Sequence, residues 1–307
     1  MIEKFKYYKS KDKLPSFNDV IDCSEKDKDK IEQIQIKYDG GNSIYGGLKH
    51  PDDWEIYKIK NCPGLIIIKN AFTSLGQRYW IKTLLNYTKD NPNNLLESKF
   101  CESARKNFFK AWSEEKDEQK QYALKKAMRW STLGFHYNWT TKEYNEDYKN
   151  DFPRELNDLI CTIANILGFQ NYKSEAAIIN FYYIGTTLAA HKDISEHCNS
   201  PLFSLSFGQS AIFLIGGENK DDDAIPILLN SGDIVVMSNE SRFLYHAVPR
   251  IFETTKQSWN NFNEINHNCE NFNENDLHDC MDEEKWKVFD KYLKDSRINV
   301  NVRQFKK

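Results

Sequence analysis

Among the 307 residues there is no apolar run long enough to cross a bilayer; the longest candidates, 65–68 and 212–215, are strand-sized. The N-terminus, MIEKFKYYKS, lacks the apolar centre of a secretory signal. It also lacks arginine and carries Glu3, which makes a poor mitochondrial presequence while leaving organelle import open. Cysteines are seven, an odd number at irregular spacings; that excludes a disulfide framework and points to a reducing compartment. No charge of one sign dominates: the net charge of -3 gives no global signal for an anionic partner. Contact with nucleic acid would have to use local basic patches such as Lys125, Lys126 and Arg129, or Arg105, Lys106 and Lys110. By themselves these read as solvated helix faces.

What is present is a globular composition, 40% hydrophobic and 14% aromatic, in a chain long enough for one large core. Residues 1–60 are charged and poorly periodic and read as an extension wrapped on the main body. Over 61–170 a buried strand at 64–68 is followed by helices at 74–87, within 102–128 and at 153–167. In the last of these Leu156, Leu159, Ile160, Ile163 and Leu167 share one face, with Pro153 at its start and Gly168 at its stop. From residue 175 onward the period becomes two. Short β-rich pieces follow at 176–183, 187–191, 202–207, 211–215, 225–229, 233–237, 243–248 and 297–305. The expected fold is α+β, a double-sheet jelly roll preceded by helices. It is interrupted by an Asn-rich stretch at 254–284 that reads as an inserted loop.

Three constellations carry chemistry. His191-Lys192-Asp193 places an imidazole and a carboxylate on one face of a strand, and His246 stands in a second strand-like run. Two imidazoles and a carboxylate leave coordination positions open, as in non-haem iron oxygenases. The chain holds a second H-x-D at His50-Pro51-Asp52, whose proline and polar setting favour accident. The second constellation, Arg297-Ile298-Asn299-Val300-Asn301-Val302-Arg303, alternates polar and apolar without exception. Turned inward, two guanidiniums need anions, and a dicarboxylate would match their forks. Turned outward, the same strand is a half-exposed edge. The third is Asn180-Phe181-Tyr182, an amide and a phenol that share a face, or else a core tyrosine with its hydroxyl satisfied.

Together these pieces resemble the AlkB family of iron(II)- and 2-oxoglutarate-dependent dioxygenases, most closely the eukaryotic AlkB homolog one branch. The likeness runs through Pro63-Gly64, Arg129-Trp130, Gly134-Phe135-His136-Tyr137-Asn138-Trp139, the stretch from Ser204 through Gly208-Gln209-Ser210 to Leu214, Ser231-Gly232-Asp233 and His246-Ala247-Val248-Pro249-Arg250. Asn301 stands where the family usually has threonine. The resemblance implies a double-stranded β-helix catalytic core over 171–307 behind a helical region with a nucleotide-recognition lid. It implies that His191, Asp193 and His246 hold Fe(II). Arg297, Asn299 and Tyr182 would take the distal carboxylate of the 2-oxoglutarate co-substrate, and Arg303 with Asn180 its proximal end. With O2, the enzyme would oxidise a methyl group on a nucleic-acid base, methyladenine foremost, in DNA or RNA including tRNA, and a hydroxymethyl on nitrogen would then leave as formaldehyde. Tyr137 and Trp139 would contact an extruded base or merely anchor the lid, and Trp130 is expected in the core. The chain is expected to be a monomer in nucleus, cytoplasm or mitochondrion, neither secreted nor membrane-bound. The alternatives are a dioxygenase acting on histones and a non-catalytic nucleic-acid-binding protein of the same fold. His267, Cys269, His278 and Cys280 form two H-x-C pairs whose one-residue spacers are tight for structural zinc.

Overall fold

The computed structural model describes every residue except 26–28, 39–44, 95, 97–101, 139, 262–271 and 307. Helix α1 (Ile2–Lys9) and two short strands, β1 (Ile31–Ile34) and β2 (Glu55–Ile59), lead into β3 (Leu65–Lys69), which is buried along its whole length. Helix α2 (Ser74–Asn86) starts where the Thr73 side chain accepts from the Gly76 amide. The charged segment that follows is cut into α3 (Glu102–Lys106), α4 (Phe108–Glu114) and α5 (Glu118–Ala127), because Asn107 and Asp117 cap the helices behind them. A hairpin of β4 (Trp130–Asn138) and β5 (Glu143–Lys149) precedes α6 (Arg154–Ile166), whose expected apolar face is buried at Leu156, Leu159, Ile160 and Ile163.

Eight strands then build the jelly roll. They are β6 (Ala176–Tyr183), β7 (Leu188–His191), β8 (Leu202–Gly208), β9 (Ser210–Ile215), β10 (Ile225–Leu229), β11 (Ile234–Met237), β12 (His246–Phe252) and, after helices α7 (Glu274–Met281) and α8 (Glu283–Leu293), β13 (Ser296–Arg303). The chain shuttles between two sheets. One has nine strands in the order β1-β2-β3-β11-β8-β13-β6-β4-β5, the other four in the order β10-β9-β12-β7.

Period-two alternation decides what faces what. Ile298, Val300 and Val302 of β13, Ala177, Ile179 and Phe181 of β6, and Phe203, Leu205 and Phe207 of β8 share one apolar cluster with α2, α4, α6 and α8. The intervening residues, among them Arg297, Asn299, Tyr182 and Ser204, line the space between the sheets. The large sheet therefore keeps its main core on the helical side and lends a polar face to the sandwich interior.

Four expectations need correction. Within 1–60, β1 and β2 are strands of the large sheet, paired through β3; their Glu and Lys residues occupy exposed positions and mask the alternation. Residues 130–138 are strand rather than helix or loop. β4 pairs with β6 through Gly134, then diverges to pair with β5 from Phe135 on. Gly134 sits at φ +69°, where a Cβ would meet the Glu175 carbonyl oxygen at 2.0 Å, so the divergence depends on glycine. The strand expected at 243–248 begins only at His246, because Ser238 and Ser241 fold 239–243 into a capped 3-10 turn. The Asn-rich insertion is partly helical: Asn273 accepts from the Asn275 and Asp276 amides to start α7, and Lys82 of α2 reaches Asp276 and Asp279 at 2.7 and 2.8 Å.

Arg78 of α2 ties this insertion to the body. Its buried guanidinium donates to the Trp259 and Cys280 carbonyls at 2.9 and 3.0 Å, pairs with Glu283 at 2.8 Å and covers the Trp286 ring. Arg78→Leu is expected to lower unfolding free energy by on the order of 3 kcal/mol, since it strands buried carbonyls. Urea unfolding together with hydrogen exchange over 274–281 checks this; unchanged protection of α7 would contradict it.

Candidate active site

Strand register brings the two histidines together. β7 ends on His191 and β12 begins on His246, and the two residues are direct cross-strand partners. Their rings lie 4.3 Å apart between centroids. Asp193, two residues past the strand end, puts Oδ2 3.6 Å from His246 Nε2 and Oδ1 4.0 Å from His191 Nε2. Each Nδ1 meets a backbone carbonyl, Ala189 O at 2.9 Å and Leu244 O at 3.3 Å. A carbonyl only accepts, so Nδ1 donates and the Nε2 lone pairs are left for a ligand. Burial, then the neighbouring His191, pushes His246 down to about 3, so its ring is neutral at physiological pH. Burial opposes ionisation of Asp193, yet Arg303 and the two histidines hold its carboxyl below the usual range. The three donor atoms lie within 4.8 Å of one another and form the only group of three or more His, Cys, Asp or Glu ligands among the described residues. The donor set suits a divalent first-row metal and leaves part of the coordination sphere open. His50, by contrast, accepts from the Asp52 amide at the start of a 3-10 turn, away from any such group.

Behind this triad lies a narrow cavity of about 40 Å³ lined by Tyr182, Arg297, Asn299 and Asn301 on one sheet and Leu188 and Phe213 on the other. Arg297 is 2% exposed. Its guanidinium donates to Gln209 O and Ser206 Oγ, both at 2.7 Å, and pairs with no carboxylate among the described residues. Burial pushes it down to about 10 in spite of Asp233 and Tyr182 nearby. A buried cation held only by neutral acceptors has an unmet need for an anion, and the cavity beside it is where one would fit. Asn299 donates to Ser204 Oγ at 2.9 Å and to Leu205 O at 3.0 Å on the same wall.

Arg303 is differently placed. It donates to Asp193 Oδ2 at 3.1 Å and to the Tyr144 hydroxyl at 3.0 Å, and lies 3.3 Å from Glu196. Its Nε is buried without a hydrogen-bond partner among the described residues. Glu196 in turn meets the fully buried Arg242 at 2.8 Å, and Arg242 donates to the Asp193 carbonyl at 2.5 Å. Sequence reasoning missed Glu196, Arg242 and Tyr144.

A larger pocket of about 580 Å³ opens from the triad to solvent, lined by Tyr137, Asn180, His191, Asp193, Tyr245 and Arg303 among others. It meets the inner cavity at Leu188, Asp193 and Asn301. Asn180 and Arg303 thus border the outer pocket, whereas Tyr182, Arg297 and Asn299 border the inner one. Tyr137 reaches the mouth from β4, packed edge-on against Tyr144 at 5.3 Å. Trp139 lies outside the described residues, and Trp130, expected in the core, is half-buried. Lys125 is no surface charge: it is buried, donates to Tyr292 O at 2.7 Å and pairs with Asp295. Lys126, Arg129, Arg105, Lys106 and Lys110 are exposed. Of the two H-x-C pairs, Cys280 is buried on α7 beside Arg78, while His267 and Cys269 lie outside the described residues.

The profile described as "2OG-Fe(II) oxygenase superfamily" matches residues 64–303. The chain is 36% identical over 274 residues to nucleic acid dioxygenase ALKBH1 of Mus musculus, covering 84% of this chain and 68% of that protein. It is 30% identical over 277 residues to tRNA demethylase abh1 of Schizosaccharomyces pombe, covering 84% and 86%. The solved structure of OsALKBH1 superposes with a TM-score of 0.52 at 16% identity, over 79% of this chain and 97% of the other, a likeness of fold. No helix among the described residues is long and apolar enough to cross a membrane.

Glu196→Gln is expected to destabilise the fold by about 3 kcal/mol, because it leaves Arg242 and Arg303 short of a buried carboxylate. Denaturant unfolding measures this, and an unmoved midpoint would show the pair to be dispensable.

Proposed function

The chain belongs to the 2OG-Fe(II) oxygenase superfamily, in company with the ALKBH1 nucleic acid dioxygenases, and from that premise we propose that it removes methyl groups oxidatively from bases of DNA or RNA, tRNA included. It is an enzyme of the Fe(II), 2-oxoglutarate and O2 class. The observation that carries the substrate reading is the meeting of two cavities at one carboxylate. The inner is narrow, with a guanidinium at its wall that pairs with no carboxylate among the described residues and can take the far carboxylate of a dicarboxylate; the outer is open to solvent and wide enough for a base.

In this reading His191, Asp193 and His246 would hold the iron. Arg297 takes the distal carboxylate of 2-oxoglutarate in a charge-assisted bond, with Asn299 and Tyr182 beside it. Arg303 and Asn180 take the proximal end at the border of the outer pocket. Iron, co-substrate and O2 together supply an oxidant able to convert a methyl group to hydroxymethyl, with succinate and CO2 as co-products. On a base nitrogen the hydroxymethyl breaks its C–N bond to release formaldehyde and restore N–H. The protein's own task is orientation and exclusion of water. A methyl group inside a stacked duplex cannot reach a metal at the bottom of a pocket, so the target is single-stranded, looped or flipped out. Tyr137 at the mouth replaces part of the lost stacking.

The deciding assay is succinate formation with a panel of methylated oligonucleotides, their unmethylated counterparts and a methylated histone-type peptide. Turnover that depends on a methylated base supports the reading; turnover with peptide alone overturns it. Two variants refine it. Arg297→Ala should weaken 2-oxoglutarate binding by about 3 kcal/mol, roughly two orders of magnitude, while changing oligonucleotide affinity little; equal affinities for the co-substrate would contradict the assignment. Tyr137→Ala should cost about 1–3 kcal/mol of oligonucleotide affinity with 2-oxoglutarate affinity retained. Loss of co-substrate affinity and an early melt would instead make Tyr137 structural.

A further inference from the structure

The rim of the outer pocket has a charge the rest of the chain does not share. Although the whole chain carries a net charge of -3, Lys142, Lys192 and Lys220 all line this pocket. They come from three separate parts of the fold: the β4–β5 turn, the segment just past β7, and the loop between β9 and β10. None of them has an ion-pair partner among the described residues. The carboxylates that line the pocket, Asp193 and Glu196, are already taken up by Arg303 and Arg242. Acidic residues on the loop of Lys220 point to other tasks: Asp222 accepts from the Asn219 amide, Asp223 pairs with Lys4, and Glu218 and Asp221 are not part of the lining.

The lysines are also held in place. The Lys192 and Lys220 ammonium groups lie 4.8 and 5.6 Å from the centre of the same ring, that of Tyr245. A cation over a ring face is attracted by the quadrupole, so one tyrosine gathers two like charges that would otherwise repel each other. Lys142 is positioned through its backbone, in the left-handed region at φ 60°, with its carbonyl accepting from Ser195 Oγ at 3.0 Å. That bond anchors the hairpin turn to the segment that carries His191 and Asp193. Two cations gathered on one aromatic, with a third lining the same pocket, make a concentrated positive edge around a pocket whose own acids are neutralised. Such an edge attracts anions that arrive in a series, and repels basic peptides.

We propose that Lys142, Lys192 and Lys220 form a phosphate-binding rim that grips the sugar–phosphate backbone on either side of the nucleotide whose base enters the pocket. This rests on the reading of the pocket as a nucleic-acid site, and it assigns the rim to affinity and register rather than to base choice. Lys192 separates two residues of the triad in the chain, so the phosphate it meets belongs to the target nucleotide or its immediate neighbour.

The test is the salt dependence of binding, measured by fluorescence anisotropy with the full chain and labelled single-stranded oligonucleotides, methylated and unmethylated. Each phosphate contact on a single strand contributes about -0.7 to the slope of log affinity against log salt. The double variant K192Q/K220Q should therefore lose about sevenfold less affinity than the parent over a fourfold rise in salt. The weakening should be equal for methylated and unmethylated strands, and K142Q should lower the slope by about half as much. Titration with 2-oxoglutarate guards against misfolding and should give the parent's affinity within about twofold. An unchanged slope overturns the proposal, and so does a loss confined to the methylated strand, which would make these lysines base readers. The parent's methyl-dependent succinate formation reports on the enzymatic reading independently, so failure of one is distinguishable from failure of the other.

Discussion

A polar face inside a β-sandwich is the constraint around which the molecule is arranged. The jelly roll needs one side of its large sheet free for charged and amide groups, and the strict alternation of β13 forces the opposite side to be apolar. That apolar side has to be covered, and α2, α4, α6 and α8 cover it. Without them Ile298, Val300 and Val302 would face water and the strand would have no reason to turn its arginines inward. The helical layer, the insertion that α7 and α8 terminate, and the depth of the pocket all follow from where the hydrophobic half of one strand must go.

Charges placed in that interior are organised by pairing rather than by solvent. Arg242, Glu196, Arg303 and Asp193 form a chain of alternating sign that ends at the two histidines. Within this chain each buried ion is offset by a neighbour, which is the condition under which such groups stay ionised. Its practical effect is on orientation. The Asp193 carboxylate is held by Arg303 while its carbonyl is held by Arg242, so both ends of the residue are fixed before a metal binds. Tyr144 brings the hairpin into the same chain through Arg303, so the wall of the outer pocket and the Asp193 carboxylate share one network.

How much of this could be read beforehand varied with the physical origin of each feature. The jelly-roll strands were legible because alternation and Gly-containing turns are local, and β6 and β10 fall where the periodicity puts them. The triad was legible from H-x-D and a distant histidine, because strand geometry makes residues i and i+2 share a face. β1 and β2 were hidden by charges on their exposed positions, and β4 was hidden by a bend at Gly134 that splits its pairing between two partners. α7 was hidden by asparagines that proved to be caps as much as loop residues. Glu196 and Arg242 could not be found at all by spacing, since their pairing spans 46 residues and exists only once the sheets have closed. Lys125 was misread as a solvated charge for the same reason, its partners Tyr292 and Asp295 being distant in the chain.

The unmatched guanidinium of Arg297 has a consequence for the protein as a folded object. Keeping an uncompensated cation in a cavity weighs against the empty state, and the anion that relieves it binds only the native chain. Its concentration thereby enters the folding equilibrium: at a hundredfold excess over the dissociation constant such a ligand adds about 2.7 kcal/mol of stability. That is a large share of the margin of an ordinary domain. Under the proposed role of Arg297, the persistence of this chain against unfolding and proteolysis is coupled to the supply of its co-substrate, through one side chain, whether or not a nucleic acid is present.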